Sequence, residues 1–379
     1  MYRNKIKNAL AFSLVGSLLL SGLLSVGASA QQQQDPQTTQ DKSRPRRTND
    51  QPQTTPSPKP SPKKDDDVTL QDDEVVRVET DLTNILFTAV DKQKRFVTTL
   101  KQEDITISED GQPQQVFTFA RQTDLPLSLA ILVDTSISEE RTLPIEKAAA
   151  STFVDEVIRP DKDEAAVISF TGESTLEQSL TGSASRIRRA LDNVQFVPPS
   201  GYIGNGQIAG TPPISGTNQS VQGSTAIWDA IWVTSDEVLS ETSDKTRRAI
   251  ILLTDGQDTS SHKHMDEAID RALKSDAVIY AIGIGDEYYD GINKGALRKI
   301  SERTGGRAFF PDNESDLRAA FAQIQEELRS QYLVAYSPTN KNKDGSFRKV
   351  QIEIANPELR KQNLRLTYRQ GYFYKSRSK

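Results

Sequence analysis

The sequence predicts an α/β protein with a doubly wound, mostly parallel central sheet that is flanked by helices and inserted in a small antiparallel β domain. From residue 127 onward, short apolar runs alternate with helical stretches, which is typical of a parallel sheet covered on both faces. Segments in which apolar and polar residues alternate lie before and after this part, as expected for half-buried antiparallel strands. These observations carry the fold prediction.

The first 67 residues are predicted to precede the folded part. Basic residues lead into an apolar run over 9–26, and an Ala-Ser-Ala sequence ends at Ala30, which is the pattern of a secretory signal over residues 1–30. An uncleaved anchor is the alternative, and it is the one route by which the sequence predicts membrane contact. Residues 31–67, rich in Gln, Pro, Thr, Asp and Lys, predict a disordered tether. We therefore expect an extracytoplasmic protein, which is periplasmic, envelope-associated or secreted.

The composition excludes several classes of function. The chain has 379 residues, a formal net charge of −5 and no cysteine. The absence of cysteine excludes disulfides, thiolate metal sites and a cysteine nucleophile. Basic residues are scattered and form no stripe with aromatic residues, so nucleic acid is not an expected partner.

The folded part is predicted in three segments. Residues 68–126 form an N-terminal β segment with a hairpin turn at Asp110-Gly111, residues 127–329 form the α/β domain, and residues 330–379 form a C-terminal β segment. The predicted strands of the α/β domain are LSLAILVD, DEAAVISF, STLEQSL, RRAIILLTD, DAVIYAIGIG and GRAFFP. Its predicted helices are Leu143–Ile158, Ser185–Val194, Ala226–Leu239, Met265–Ser275, Lys294–Thr304 and Glu314–Ser330. Since neither flanking segment has enough strands to bury a face alone, the two are predicted to pair with each other.

Oxygen-bearing side chains follow the buried strands of the α/β domain. Asp134, Ser136 and Ser138 come at spacing two after LAILV, Thr225 opens a helix in GSTAIWDA, and Asp255 ends the run AIILLT. Ligands of such sheets bind at the carboxyl ends of the strands, so these side chains are predicted to converge. All-oxygen ligation suits hard cations, chiefly Mg²⁺, with Mn²⁺ and Ca²⁺ as alternatives. An open coordination position would accept a carboxylate from a protein partner.

The sequence gives less support to an enzymatic function. A phosphatase nucleophile at Asp134 would need Asp-x-Asp, but position 136 is serine. A Ser/His/Asp triad would depend on His262 or His264, which share a polar loop and are predicted to lie on the surface. We also expect the run Asp258-Thr259-Ser260 to cap the helix that follows it.

The motif residues resemble a known family. D-x-S-x-S, the distant threonine in G-S-T-A-x-x-D-A, and T-D-G resemble the metal-ion-dependent adhesion motif of von Willebrand factor A domains, over about residues 127–329. The flanking ISEDGQPQQVFTFA and YLVAYSP, DGSFRKVQIEI and RQGYF resemble exported bacterial "VWFA-related" proteins. The resemblance implies that Ser136, Ser138 and Thr225 bind the cation directly, whereas Asp134 and Asp255 act mainly through water. The long segment 195–222 departs from the family pattern, and it is either part of the metal face or a surface excursion.

The leading functional hypothesis is an extracytoplasmic, non-enzymatic module that binds an acidic side chain of a protein partner through Mg²⁺. The alternative is a structural or assembly component of the envelope whose metal site mainly stabilises the fold. A metal-dependent hydrolase is the third hypothesis.

Overall fold

The computed structural model describes residues 82–121, 124–196, 198, 202–204, 207–209, 224–243, 245–285 and 291–374. All of them belong to one compact unit, Val75–Lys379. The predicted signal sequence at 1–30 and the predicted tether at 31–67 lie outside the described residues. Among the helices that are described, none has both the length and the apolar character needed to cross a membrane.

The described elements follow the predicted order closely. The strands are β1 Thr83–Val90, β2 Ile105–Glu109, β3 Gln112–Gln114, β4 Val116–Arg121, β5 Leu127–Asp134, β6 Glu164–Phe170, β7 Ser174–Thr181, β8 Tyr202–Gly204, β9 Gln207–Ala209, β10 Arg247–Thr254, β11 Ala277–Gly283, β12 Ala308–Phe309, β13 Tyr332–Tyr336, β14 Phe347–Ile354, β15 Arg365–Tyr368 and β16 Gly371–Phe373. The α-helices are α1 Leu143–Val157, α2 Ala184–Asn193, α3 Ile227–Val233, α4 Met265–Lys274, α5 Lys294–Thr304, α6 Glu314–Arg329 and α7 Pro357–Lys361. The predicted helix 226–239 is divided, because α3 passes into a π-helical turn over Thr234–Leu239.

A six-stranded sheet forms the centre of the α/β domain, with strand order β12-β11-β10-β5-β6-β7. Its strands are parallel except for the edge strand β7, which runs antiparallel to β6. After β5 the chain adds β6 and β7 on one side, and then returns to add β10, β11 and β12 on the other side. The strand order therefore reverses between β5 and β10, and this is where ligands of open α/β sheets bind.

Helices cover both faces of the central sheet. In β5, the side chains of Leu129, Ile131 and Val133 face a core that also contains apolar residues of α1, α2 and α6. The intervening Ala130 and Leu132 face a second core, built with α3, α4 and α5. Every residue of β5 and β10 is buried, as expected for mainly apolar strands in a parallel sheet that is covered on both faces. The predicted doubly wound sheet is confirmed.

The two flanking segments pair with each other, as predicted. Strand β1 lies between β13 and β15, and β2 pairs with β14, so the α/β domain is an insertion in one β structure. This structure has two four-stranded sheets, β15-β1-β13-β4 and β16-β14-β2-β3, around a shared apolar core. The final run LRLTYRQGYFY is divided between the two sheets. At the start of β16, a Cβ on Gly371 would lie 2.3 Å from the carbonyl oxygen of Arg348, so this close approach requires glycine.

A buried polar network joins the N-terminal and C-terminal β segments. The Glu109 carboxylate accepts hydrogen bonds from the hydroxyls of Tyr336 at 2.8 Å and Tyr372 at 2.6 Å. Arg348 donates to the same carboxylate at 3.1 Å, and its guanidinium carbon lies 3.9 Å from the centre of the Tyr374 ring. Both charged side chains of this ion pair are almost fully buried. The network therefore connects β2 with β13, β14 and β16.

Candidate metal centre

Asp134 is the last residue of β5, and the structure holds its carboxylate rigidly. Oδ2 accepts a hydrogen bond of 2.6 Å from the hydroxyl of Thr254, at the end of the neighbouring strand β10. Oδ1 accepts from the backbone N–H of Ser136 at 2.9 Å. The carboxylate is thus fixed at the point where the strand order reverses.

The two serines of the motif lie next to Asp134 in the same loop. Their hydroxyl oxygens are 3.1 Å apart, and both residues are buried. The backbone N–H of Thr135 donates to the carbonyl of Phe170 at the end of β6, which ties this loop to the sheet. Ser136 then precedes a 3₁₀ turn over Ile137–Glu139. The alternating spacing therefore directs both hydroxyls to one place.

Asp255 follows β10 and meets Asp134 from the neighbouring strand. Its carboxylate accepts from the backbone N–H of Gln257 at 2.8 Å. The turn after it requires glycine, because Gly256 has φ +82° and an added Cβ would lie 2.8 Å from the Leu297 side chain. One carboxylate oxygen each from Asp134, Asp255 and Glu139 lie within 4.8 Å of one another.

Thr225 lies on a buried loop at the same edge of the sheet. Its backbone N–H donates to the Thr259 hydroxyl at 2.8 Å, and its carbonyl accepts from Thr259 N–H at 2.9 Å. The next residue, Ala226, donates its N–H to the carbonyl of Thr171 at 2.7 Å. This loop therefore connects the segments that follow β6 and β10.

The predicted cap at Asp258-Thr259-Ser260 was wrong. Asp258 Oδ1 accepts from the backbone N–H of Ile227 at 2.8 Å, so it caps α3, which precedes it in the chain. The helix after this run, α4, begins behind His264 instead, with Glu267 accepting from the His264 backbone N–H. Tertiary packing of two loops at one sheet edge outweighs the local preference for capping the next helix.

Sequence reasoning missed Glu139, the residue directly after the D-x-S-x-S motif. Its side chain is fully buried, and Oε2 accepts a hydrogen bond of 2.7 Å from the Thr142 hydroxyl. Oε1 is buried without a hydrogen-bond partner among the described residues. Glu146 lies behind it, on the buried side of α1 together with Ala149, Ala150 and Phe153. Glu146 was the signal in the sequence, because its helical spacing from these apolar residues indicates a buried acidic group in this part of the chain.

Burial and mutual repulsion disfavour charge on these carboxyl groups. Desolvation raises the pKa of Asp134, and the charge of Asp255 raises it further. Desolvation also raises the pKa of Glu139, with added contributions from the charges of Glu146 and Asp134. The Glu146 pKa is raised for the same first reason. A cation placed among these groups would favour their charged forms.

The site fits a hard divalent cation. Three carboxylates with oxygens inside one small volume, two adjacent hydroxyls and a buried carboxylate oxygen without a partner supply the donor set that Mg²⁺, Mn²⁺ and Ca²⁺ use. Thiolate ligands cannot contribute, because the chain has no cysteine. The two histidines are not among the grouped ligand atoms, and His262 Nδ1 instead lies 3.1 Å from Asp229 Oδ2 on the exposed loop.

Two family models of the von Willebrand factor type A domain match the chain, one over residues 129–257 and the other over residues 213–325. Together they span residues 129–325, just over half of the sequence. The chain therefore belongs to the von Willebrand factor type A family. Neither family model indicates an enzyme. None of the curated proteins that were compared matches the chain.

Solved structures of low sequence identity are similar to parts of the chain. Proximal thread matrix protein 1 from the mussel byssus has 22% identity, covers 58% of this chain and 51% of its own, and gives a TM-score of 0.44. The conserved hypothetical protein BatB from Bacteroides thetaiotaomicron has 20% identity and a TM-score of 0.40, and the match covers 53% of this chain and 98% of BatB. A von Willebrand factor type A protein from Catenulispora acidiphila has 14% identity and a TM-score of 0.43, and the match covers 74% of this chain and 75% of that protein. The chain thus spans about half the length of the mussel protein.

Proposed function

We propose that this protein is an extracytoplasmic interaction module that binds a protein partner through a divalent cation. Asp134, Ser136, Ser138, Thr225 and Asp255 would hold the cation, with Mg²⁺ as the first candidate. An acidic side chain of the partner would complete its coordination. Family membership supports an interaction domain, and the sequence pattern of residues 1–30 supports export.

The convergence of Asp134 and Asp255 carries this proposal. Their carboxylate oxygens lie within 4.8 Å of each other at the reversal point of the sheet, and hydrogen bonds from Thr254 and from backbone N–H groups hold them in place. Two buried carboxylates so close together disfavour each other's charge, and a cation removes this conflict. Ligands fixed on strand ends also bind a cation with less loss of freedom than ligands on a loose loop.

The chemistry of the site is binding rather than catalysis. A bound cation would supply a localised positive charge that a carboxylate can approach. The hydroxyls of Ser136 and Ser138 are uncharged metal ligands, so they neutralise less of the cation's charge than carboxylates would and leave more of it for an external ligand. The chain's own part is to fix these oxygens and to keep Asp134 and Asp255 oriented.

The test is a thermal shift titration with Mg²⁺, repeated with EDTA. At a concentration of about 100 times the dissociation constant, Mg²⁺ should stabilise the wild type by roughly 2.7 kcal/mol. Asp134→Ala should remove this response and leave the metal-free protein folded, since the substitution removes a repelling buried carboxylate. Asp161→Ala, at an exposed turn residue, is the matched control and should respond like the wild type. Equal shifts in all three proteins would place the cation elsewhere.

A structural role for the cation is the second candidate. It is favoured by burial, since all five proposed ligands expose less than a tenth of their surface. Crosslinking in the native envelope, with EDTA added or withheld before the crosslinker and followed by capture, separates the two functions. If captured partners are lost in EDTA and with Asp134→Ala, the interaction function stands. If the partners remain while the Mg²⁺ stabilisation is lost, the cation serves the fold alone.

A further inference from the structure

The adhesion motif leaves two buried acidic side chains near this edge, Glu139 and Glu146, unexplained, and only Glu139 is grouped with the motif carboxylates. Glu139 is not one of the five motif positions, yet one of its carboxylate oxygens lies within 4.8 Å of oxygens of both Asp134 and Asp255. Glu139 is the last residue of the 3₁₀ turn Ile137–Glu139, and its side chain is buried. A buried glutamate needs a partner that offsets the loss of its hydration.

The hydrogen bonds of Glu139 leave one oxygen available. The Thr142 hydroxyl donates to Oε2 at 2.7 Å and so fixes the rotation of the carboxylate. Oε1 has no hydrogen-bond partner among the described residues, and it is inaccessible to solvent. The charged neighbours of Glu139, which are Glu146, Asp134 and Asp255, are all acidic, so none of them relieves a negative charge on it. A half-satisfied buried carboxylate oriented toward two others points to a cation ligand.

We propose that Glu139 is a third carboxylate ligand of the divalent cation and that it sets the affinity of the site. This inference rests on the proposed cation site and goes beyond it, because the motif supplies only two carboxylates and three hydroxyls. With Glu139 charged, three negative charges surround a cation of charge +2. The side chains of this protein would thus bind the ion more tightly, and less of its positive charge would be left for an acidic side chain of the partner.

The third carboxylate also bears on which ion the site prefers. Mg²⁺ keeps several of its waters and is commonly held by one or two carboxylates, whereas Ca²⁺ takes more protein oxygens. Glu139 adds one or two oxygens to a donor set that already contains Asp134, Asp255 and the paired serine hydroxyls. Loss of Glu139 should therefore weaken Ca²⁺ binding more than Mg²⁺ binding.

The experiment compares Glu139→Gln with the wild type by calorimetric titration of Mg²⁺ and of Ca²⁺ into the full metal-free chain. Glutamine keeps the shape and one oxygen but removes the charge. We expect the affinity to fall by about 10- to 100-fold, with the larger fall for Ca²⁺, and the melting temperature of the metal-free protein to rise. Glu140→Gln, at the adjacent half-buried glutamate, is the control and should change either affinity by less than about threefold.

The outcomes separate this inference from the proposed function. If the wild type binds neither ion, the cation site itself is wrong. If the wild type binds Mg²⁺ and Asp134→Ala does not, but Glu139→Gln binds both ions like the wild type, then Glu139 is a protonated structural group and the inference is overturned. If Glu139→Gln fails to fold, Glu139→Met serves in its place, since methionine fills a similar volume without a carboxylate.

Discussion

Glu327 should make the stability of the protein depend on pH, and glutamine at this position should remove that dependence. Glu327 is on α6 and almost fully buried against β1, where it accepts long hydrogen bonds from Arg307 at 3.3 Å and from the Thr88 hydroxyl at 3.5 Å. These contacts replace lost hydration poorly. Desolvation therefore raises the pKa of Glu327 to about 7, against an opposing effect of the Arg307 charge.

The sign of the effect follows from the two pKa values. An unfolded chain has the ordinary glutamate pKa, near 4.5, so between pH 4.5 and about 7 the folded state holds a proton that the unfolded state has lost. The contribution of Glu327 to the free energy of unfolding is therefore fully present below pH 4.5, falls as the pH rises through this window, and is lost above pH 7. One pKa unit corresponds to about 1.4 kcal/mol, so the difference amounts to roughly 3 kcal/mol.

The assay is urea unfolding of the wild type and Glu327→Gln at pH 5 and pH 8. At pH 5 the two proteins should have similar unfolding free energies, because a protonated glutamate and a glutamine are both neutral and similar in shape. At pH 8 the variant should be more stable by up to roughly 3 kcal/mol. Other buried carboxyl groups are common to both proteins and cancel in the difference. Glu358→Gln, at an exposed residue of α7, measures the effect of changing a solvent-facing glutamate. A free-energy difference that is the same at both pH values would refute the reasoning.

Three further predictions concern the architecture and export. Arg348→Met leaves Glu109 buried without its counter-charge and should lower the unfolding free energy by about 3–5 kcal/mol; a loss below 1 kcal/mol in urea unfolding would show that the tyrosine hydroxyls alone satisfy Glu109. Residues 127–329 expressed alone should unfold cooperatively, whereas residues 68–121 alone should not, and a cooperative melt of the second fragment would contradict the paired β domain. N-terminal sequencing of the envelope fraction should return Gln31, and a chain that still begins with its initiator methionine would show an uncleaved anchor.

The fold could be predicted largely from the sequence, because the central sheet leaves a local signal. Strand β5 is buried at every position and is apolar at six of its eight residues, and the predicted run LSLAILVD matches its bounds. The division of the final run between two sheets could not be predicted in this way. It depends on the close contact between Gly371 and the Arg348 carbonyl, two residues that are distant in the chain.

The candidate site shows the same limit. Asp134, Ser136, Ser138 and Asp255 were identified because strand ends in a parallel sheet meet at one edge, and the structure brings them together there. Asp258 was assigned to the wrong helix, because its partner Ile227 begins α3 and lies 31 residues earlier in the chain. Glu139 was missed because no local pattern of the sequence indicates that it is buried. Local patterns thus identified the residues on strand ends, but not the contacts between loops.

The proposed cation site also explains why the protein tolerates so many buried acidic groups at one edge of the sheet. Asp134, Asp255, Glu139 and Glu146 are all buried close to the reversal point, and desolvation is the largest cause of the raised pKa values of Asp134, Glu139 and Glu146. In the metal-free protein this arrangement lowers the free energy of unfolding, because each buried carboxyl group must either take up a proton or remain charged without hydration and next to other negative charges. A bound cation would reverse the balance, because Asp134, Asp255 and Glu139 would hold it. The proposed site would therefore couple cation binding to folding, because the more strongly the carboxylates repel one another without the ion, the more stability its binding would return.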